Sequence, residues 1–204
     1  MRETIAASTA PDTAPARKAM VDSQLRTSGV NEEYVLARML AVPRENFVPA
    51  DKAPLAYIDR TLALGNGAVL APPLFYGKVL VEAAPRRDDR VLVISAGTAY
   101  LAELVRPLVR SVDQIPAEEA AVNAPAAGES YSLILVDGAI EELRDSVSAR
   151  LEEGGRLVGG MVLRQVTRLA SGRKIAGRVS LLPIEDIGIP VLAAFAAPRK
   201  WSFT

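Results

Sequence analysis

Hydrophobic positions change their period several times along the chain, and the changes mark its elements. Between 17 and 28, Met20, Val21 and Leu25 fall at helical spacing, and Gly29 supplies a left-handed stop. Asn31 reads as an N-cap with Glu32 and Glu33 in the first turn. Val35, Leu36, Met39 and Leu40 then form a buried stripe that Pro43 ends. Residues 44–63 carry no clear period. Gly65-Asn66-Gly67 marks a turn, and Pro72-Pro73 suits a helix start. Leu74, Phe75, Val79, Leu80 and Ala83 give that helix its apolar face.

The sharpest change comes at 91–103. Val91-Leu92-Val93-Ile94 is a continuous apolar run rich in β-branched residues, as a strand buried on both faces requires. It stops at Ser95-Ala96-Gly97-Thr98, and a helical pattern over 98–109 takes over, with Pro107 disturbing its last turn. A short strand is expected at 110–113, one or two helical turns at 117–122, a loop at 123–130 and a buried strand at 131–136 ending in Asp137-Gly138. Beyond it we expect an amphipathic helix at 141–152, a strand at 156–162, and a hairpin of 165–170 with 175–182 turning at Ser171-Gly172. A last strand is expected at 191–195. Strands alternating with helices and then a late hairpin predict an α/β fold. Its sheet is doubly wound and mostly parallel, with an antiparallel edge and N-terminal helices.

Composition narrows the chemistry. Half of the 204 residues are hydrophobic, enough for one domain, which we place at 16–204 behind a disordered tail at 1–15 rich in Ala, Thr and Pro. The 24 basic and 24 acidic residues cancel, so no nucleic-acid partner and no membrane partner is expected. No apolar run reaches the roughly 20 residues that span a bilayer, and the protein reads as cytoplasmic. Without cysteine or histidine, thiolate zinc sites, cysteine nucleophiles and imidazole bases are excluded.

Several segments carry a resemblance to a known family. They are Met20-Val21 with Gln24-Leu25, Val42-Pro43-Arg44-Glu45 with Phe47-Val48-Pro49, and Ala56-Tyr57-Ile58-Asp59 followed by Leu62 and Gly65. Further on come Ser111-Val112-Asp113-Gln114-Ile115-Pro116 and Leu151-Glu152-Glu153-Gly154-Gly155-Arg156-Leu157-Val158. From about Met20 to the C-terminus the chain resembles the protein-L-isoaspartate O-methyltransferases. The resemblance implies a SAM-methyltransferase-like (Rossmann-like) fold and S-adenosylmethionine (SAM) as cofactor. It also implies a protein or peptide carboxylate, the isoaspartyl group of damaged proteins, as methyl acceptor. It places Ser95, Ala96, Gly97, Asp113 and Asp137 against the cofactor, with Asp113 at the position of a ribose-binding acid.

The chain departs from the family pattern at three places. Val93, Ser95, Gly97 and Ala99 stand where the family has an acid and a Gly-x-Gly-x-Gly loop, so we expect a pocket narrowed at Ser95 and Ala99. The family's Ser-Gln-Pro is Ala71-Pro72-Pro73, without the serine hydroxyl. The interval from Asp113 to Tyr131 is too short for a helix, a strand and two turns, so one outer strand is expected to be missing and the adenine side to be open. The missing histidine is no obstacle, because a carboxylate acceptor is already ionised at neutral pH. Three readings stay open: a carboxyl methyltransferase of the family type, a non-catalytic relative acting as a binding module, and an enzyme for a different carboxyl substrate. Gly97, Asp113 and Asp137 each also read as ordinary turn or strand-end residues.

Overall fold

The computed structural model describes residues 12–197. The tail expected at 1–15 therefore lies largely outside the described residues. Its last two positions are helical, because α1 (Ala14–Met20) begins with Pro15 near its N-terminus, where a missing N–H is harmless. The helical path continues as a π turn at Val21–Leu25 and a 3-10 turn at Arg26–Ser28. It stops at Gly29, which takes the left-handed φ of 81°. α2 (Glu33–Ala41) follows; Glu32 and not Asn31 stands at its N-cap position, and no side chain there makes a capping hydrogen bond.

The segment without a period, 44–63, folds as two 3-10 turns held by polar side chains. Tyr57 donates to Glu45, Arg17 pairs with Glu45 at 3.0 Å, and Gln24 donates to the Tyr57 carbonyl at 2.9 Å. The family-like residues of this region thus form a structural clamp between α1 and the loop. Asp59 accepts from the Leu74 amide at 3.2 Å, at the start of α3 (Pro73–Ala83).

Between them, β1 (Leu62–Gly65) and β2 (Ala68–Leu70) form an antiparallel hairpin. Its two central residues, Asn66 and Gly67, have φ of 50° and 79°, as a turn matching the right-handed strand twist requires.

The main sheet has six strands in the order β4-β3-β5-β6-β7-β8. β3 (Arg90–Ser95), β4 (Ser111–Pro116), β5 (Tyr131–Ile140) and β6 (Leu151–Leu163) are parallel. β7 (Val166–Ile175) and β8 (Arg178–Asp186) complete an antiparallel edge. One face carries the N-terminal helices, α3 and α4 (Tyr100–Val105); α5 (Ala117–Val122) and α6 (Asp145–Arg150) cover the other. Val91 and Val93 face the first core, Leu92 and Ile94 the second, which is why the run is apolar throughout. Among the described residues no strand lies beyond β4, so the expected loss of an outer strand is what the sheet displays.

Several expected boundaries move. The second strand runs three residues further, to Pro116, because it pairs with β3 as far as Ser95. The helix expected at 141–152 is only α6, since β5 runs on to Ile140 and β6 already starts at Leu151. Ser171-Gly172 is no turn: β7 passes straight through it, and the chain reverses at Ala176-Gly177, with φ of 51° and 76°. Gly172 serves close approach instead, because a Cβ there would lie 2.4 Å from the Ser180 carbonyl oxygen. The strand expected at 191–195 is a single bridge, Val191 to Ala139, followed by a 3-10 turn at Ala193–Phe195.

Candidate functional site

The chain leaves β3 for β4 on one side and β5 on the other, so the order of the sheet reverses at β3. In open α/β sheets a ligand crevice forms outside the carboxyl ends of the strands at such a point. A cleft of about 220 Å³ lies there. Ser95, Ala96 and Gly97 form its floor, the hairpin turn from Asn66 to Val69 one wall, Pro116 to Glu118 a second, and Val191 to Ala193 a third.

The hairpin is fastened to the loop after β3, since the Val69 amide donates to the Ala96 carbonyl at 2.9 Å. Gly97 has φ of 99°, and a Cβ built on it would lie 2.5 Å from the Ala68 Cβ. Only glycine permits both this backbone and this approach. Gly97→Ala should therefore cost about 1–3 kcal/mol, combining a strained left-handed alanine with displacement of the hairpin. Urea unfolding of the two proteins measures it, and equal midpoints at equal slope would contradict the close approach.

The expected narrowing has a different origin from the one read in the sequence. It comes from Ala68 pressed on Gly97, whereas Ala99 does not line the cleft and is exposed. The volume lies below the roughly 300–1,000 Å³ usual for small-molecule sites.

The five candidate ligand residues separate. Ser95, Ala96 and Gly97 come together. Asp113 does not join them, because β4 continues three residues beyond it; it pairs with Leu92 in mid-strand and accepts from the Tyr131 hydroxyl at 3.1 Å. Burial, and after it that contact, pushes the Tyr131 hydroxyl up to about 12. The carboxylate on the cleft wall is Glu118, in the first turn of α5 and exposed. Its place follows from the true end of β4, and the sequence signal for it is an acid two residues after Pro116, in the first turn of the following helix.

Asp137 lies beneath the cleft, not in it. It is completely buried, and neither carboxylate oxygen has a hydrogen-bond partner among the described residues. Burial pushes its carboxyl up to about 7, with the Tyr76 hydroxyl, the Ala96 amide and the Arg44 charge pulling the other way. Arg44 is also fully buried. Its Nε donates to the Ala56 carbonyl at 2.6 Å and one terminal nitrogen to the Ala71 carbonyl at 2.7 Å, while Nη1 has no partner. The guanidinium lies 5.3 Å from the Tyr76 ring centre and 4.9 Å from that of Tyr100. The Ala71 amide donates to the Tyr76 hydroxyl at 3.1 Å. Ala71, at the position of the family's serine, is thus pinned through its backbone by a buried polar cluster.

A doubly wound sheet with a glycine-floored cleft at its reversal point defines a Rossmann-like α/β protein. The family model for protein-L-isoaspartate(D-aspartate) O-methyltransferase matches residues 16–121. A Methanoculleus marisnigri relative, named protein-L-isoaspartate O-methyltransferase, is 32% identical over 203 residues, covering 88% of this chain and 92% of its own. A Methylorubrum extorquens relative of the same name is 33% identical over 205 residues, covering 85% and 90%. The chain belongs to the protein-L-isoaspartate O-methyltransferase family. A Plasmodium falciparum structure described as such an enzyme, in complex with S-adenosyl-L-homocysteine, superposes with a TM-score of 0.69. At 15% identity, covering 87% of this chain and 98% of that one, it bears on the fold.

Proposed function

We propose that the protein is a cytoplasmic carboxyl methyltransferase that binds SAM in the cleft at the end of β3 and methylates an isoaspartyl carboxylate of a protein or peptide. The observation that carries this reading is the placement of the Ser95–Gly97 floor at the reversal point of the sheet, in a chain of this family. The missing Cβ of Gly97 makes room for Ala68 of the hairpin, so the fit for a ligand rests on the cleft beside it, lined by Ser95, Ala96 and the exposed Glu118. Bound there, SAM supplies an electrophilic methyl group on a sulfonium.

The chain's own residues position and enclose. Glu118, with its exposed carboxylate on the wall beyond β4, is suited to accept hydrogen bonds from a ribose diol. Gln114 donates to the Thr98 carbonyl at 3.3 Å and so ties the cofactor loop to β4. The acceptor carboxylate needs orientation and no base, so the loss of the family's serine at Ala71 removes a hydrogen bond and leaves the nucleophile intact. Calorimetric titration with SAM and S-adenosylhomocysteine, together with methyl transfer to an isoaspartyl peptide beside a control enzyme, tests the proposal. Binding in the micromolar range, weakened about tenfold in Glu118→Ala, is the expected result. No heat at millimolar ligand would sink it.

A second reading, a non-catalytic relative that acts as a binding module, is favoured by the small cleft and by the wholly buried Asp137 between the cofactor loop and Tyr76. SAM binding with no transfer to any carboxyl acceptor would select it.

A further inference from the structure

A second cavity is larger than the cleft. It holds about 700 Å³ and lies on the α3 side of β6, β7 and β8, at the opposite end of the sheet from Gly97. The strand directions place it there: β7 runs antiparallel to β6, so its last residue, Ile175, lies at the end where the parallel strands begin. α3 stops at Ala83, and among the described residues no helix covers the sheet beyond it.

The lining is basic and apolar together. Arg86, Arg156, Arg173 and Arg178 reach it from three separate elements and a turn, against one acid, Glu82. Arg156 is paired with Asp89 at 2.5 Å, yet its Nε is buried and without a partner. Among the described residues Arg86, Arg173 and Arg178 have no carboxylate within salt-bridge distance. Beside them, Ile175 is 69% and Leu182 68% exposed, large apolar side chains left open to water on the same face. Clustered like charges repel, and a concave wall concentrates their field, so an anion is the complement this cavity lacks. Guanidinium forks match phosphate oxygens two at a time, and the volume is that of a small-molecule site.

We propose that this cavity is a binding site for a small phosphate-bearing molecule with an apolar body. The phosphate is held by Arg173 and Arg178 with Arg86, and the body lies on Ile175 and Leu182. The site shares no residue with the cleft at β3, and it stands whether or not the protein transfers methyl groups.

The test uses the full-length protein and 2-naphthyl phosphate as probe, with inorganic phosphate, 2-naphthol and hexaglutamate in parallel titrations. The probe carries no adenosine, so it does not report on the proposed SAM cleft. Saturable binding below about 1 mM is expected, weakened about tenfold or more in Arg173→Ser/Arg178→Ser and also in Ile175→Ser/Leu182→Ser. Both variants alter exposed positions, and unchanged thermal melts would confirm that the loss is local. The proposal is overturned if the probe fails to saturate at millimolar concentration, or if the arginine variant binds it as the parent does. Equal affinity for inorganic phosphate would remove the apolar half of the site. Binding of hexaglutamate without the naphthyl phosphate would assign the surface to an acidic protein segment instead.

Discussion

Asp137→Asn should make the protein more stable at pH 8 and leave it almost unchanged near pH 4. Burial raises the Asp137 carboxyl from an ordinary value of 3.8 to about 7. Below 3.8 the group is protonated in both folded and unfolded chains and has no pH effect. Between about 4 and 7 the unfolded chain releases its proton while the folded chain keeps it, so stability falls as pH rises through that window. Above 7 the folded chain holds a buried carboxylate without a hydrogen-bond partner, and the loss levels off. The full difference is on the order of 4 kcal/mol, of which about 2–3 kcal/mol should appear between pH 5 and pH 8.

The groups facing the carboxyl are the Tyr76 hydroxyl from α3, the Ala96 amide from the loop after β3, and Arg44 from the 3-10 turn at Arg44–Phe47. Burial also holds the Tyr76 hydroxyl well above its usual range, so it does not titrate in this window. Asparagine keeps the shape and removes the charge, at the cost of an amide that must find partners in the same pocket. Urea unfolding of parent and variant at pH 5 and pH 8 decides the matter. If both lose the same stability between the two pH values, Asp137 is not the titrating group.

The architecture was readable where one physical rule acts alone. The unbroken apolar run at 91–94 has to be buried on both faces, and the structure puts its alternate residues in two cores. The interval after Asp113 was too short for another strand, and β4 is the edge. Misreadings fell where a residue type serves two rules. Gly172 looked like a turn and is a point of contact with β8, while the actual turn uses Ala176 in a left-handed conformation that alanine rarely adopts. Asp113, where the family resemblance implies a ribose-binding acid, lies in mid-strand because pairing with β3 carries the strand on to Pro116, and the acid that lines the cleft is Glu118. Ser95, Ala96 and Gly97 line the cleft because they directly follow β3, where the order of the sheet reverses. The covering by Ala68 was not found, since nothing local in 66–69 says which loop a hairpin will lie on.

Arg44→Met should cost about 2–4 kcal/mol, although methionine fits an apolar site better than any cation. Arginine is rarely buried, and nothing in Val42-Pro43-Arg44-Glu45 distinguishes this one from a surface residue. Two opposed effects set the result. Removing the guanidinium relieves the expense of keeping a charge away from water, and a thioether fills much of the space between Tyr76 and Tyr100. Against that, the Ala56 and Ala71 carbonyls each lose a charged donor in a dry interior, at about 1–3 kcal/mol apiece. The cation–ring contacts with both tyrosines go as well. A third effect favours destabilisation at high pH: without Arg44, nothing cationic moderates the rise of the Asp137 carboxyl, so Arg44→Met should fall further behind the parent at pH 8 than at pH 5. A double-mutant cycle with Asp137→Asn separates these contributions. If the two buried charges interact, the double variant is more stable at pH 8 than the sum of the single effects, by about 1 kcal/mol or more, and the excess shrinks at pH 5. Additive effects at both pH values would mean that Arg44 acts only on the two carbonyls, as a strut that holds the Ala71 loop in place under the cleft.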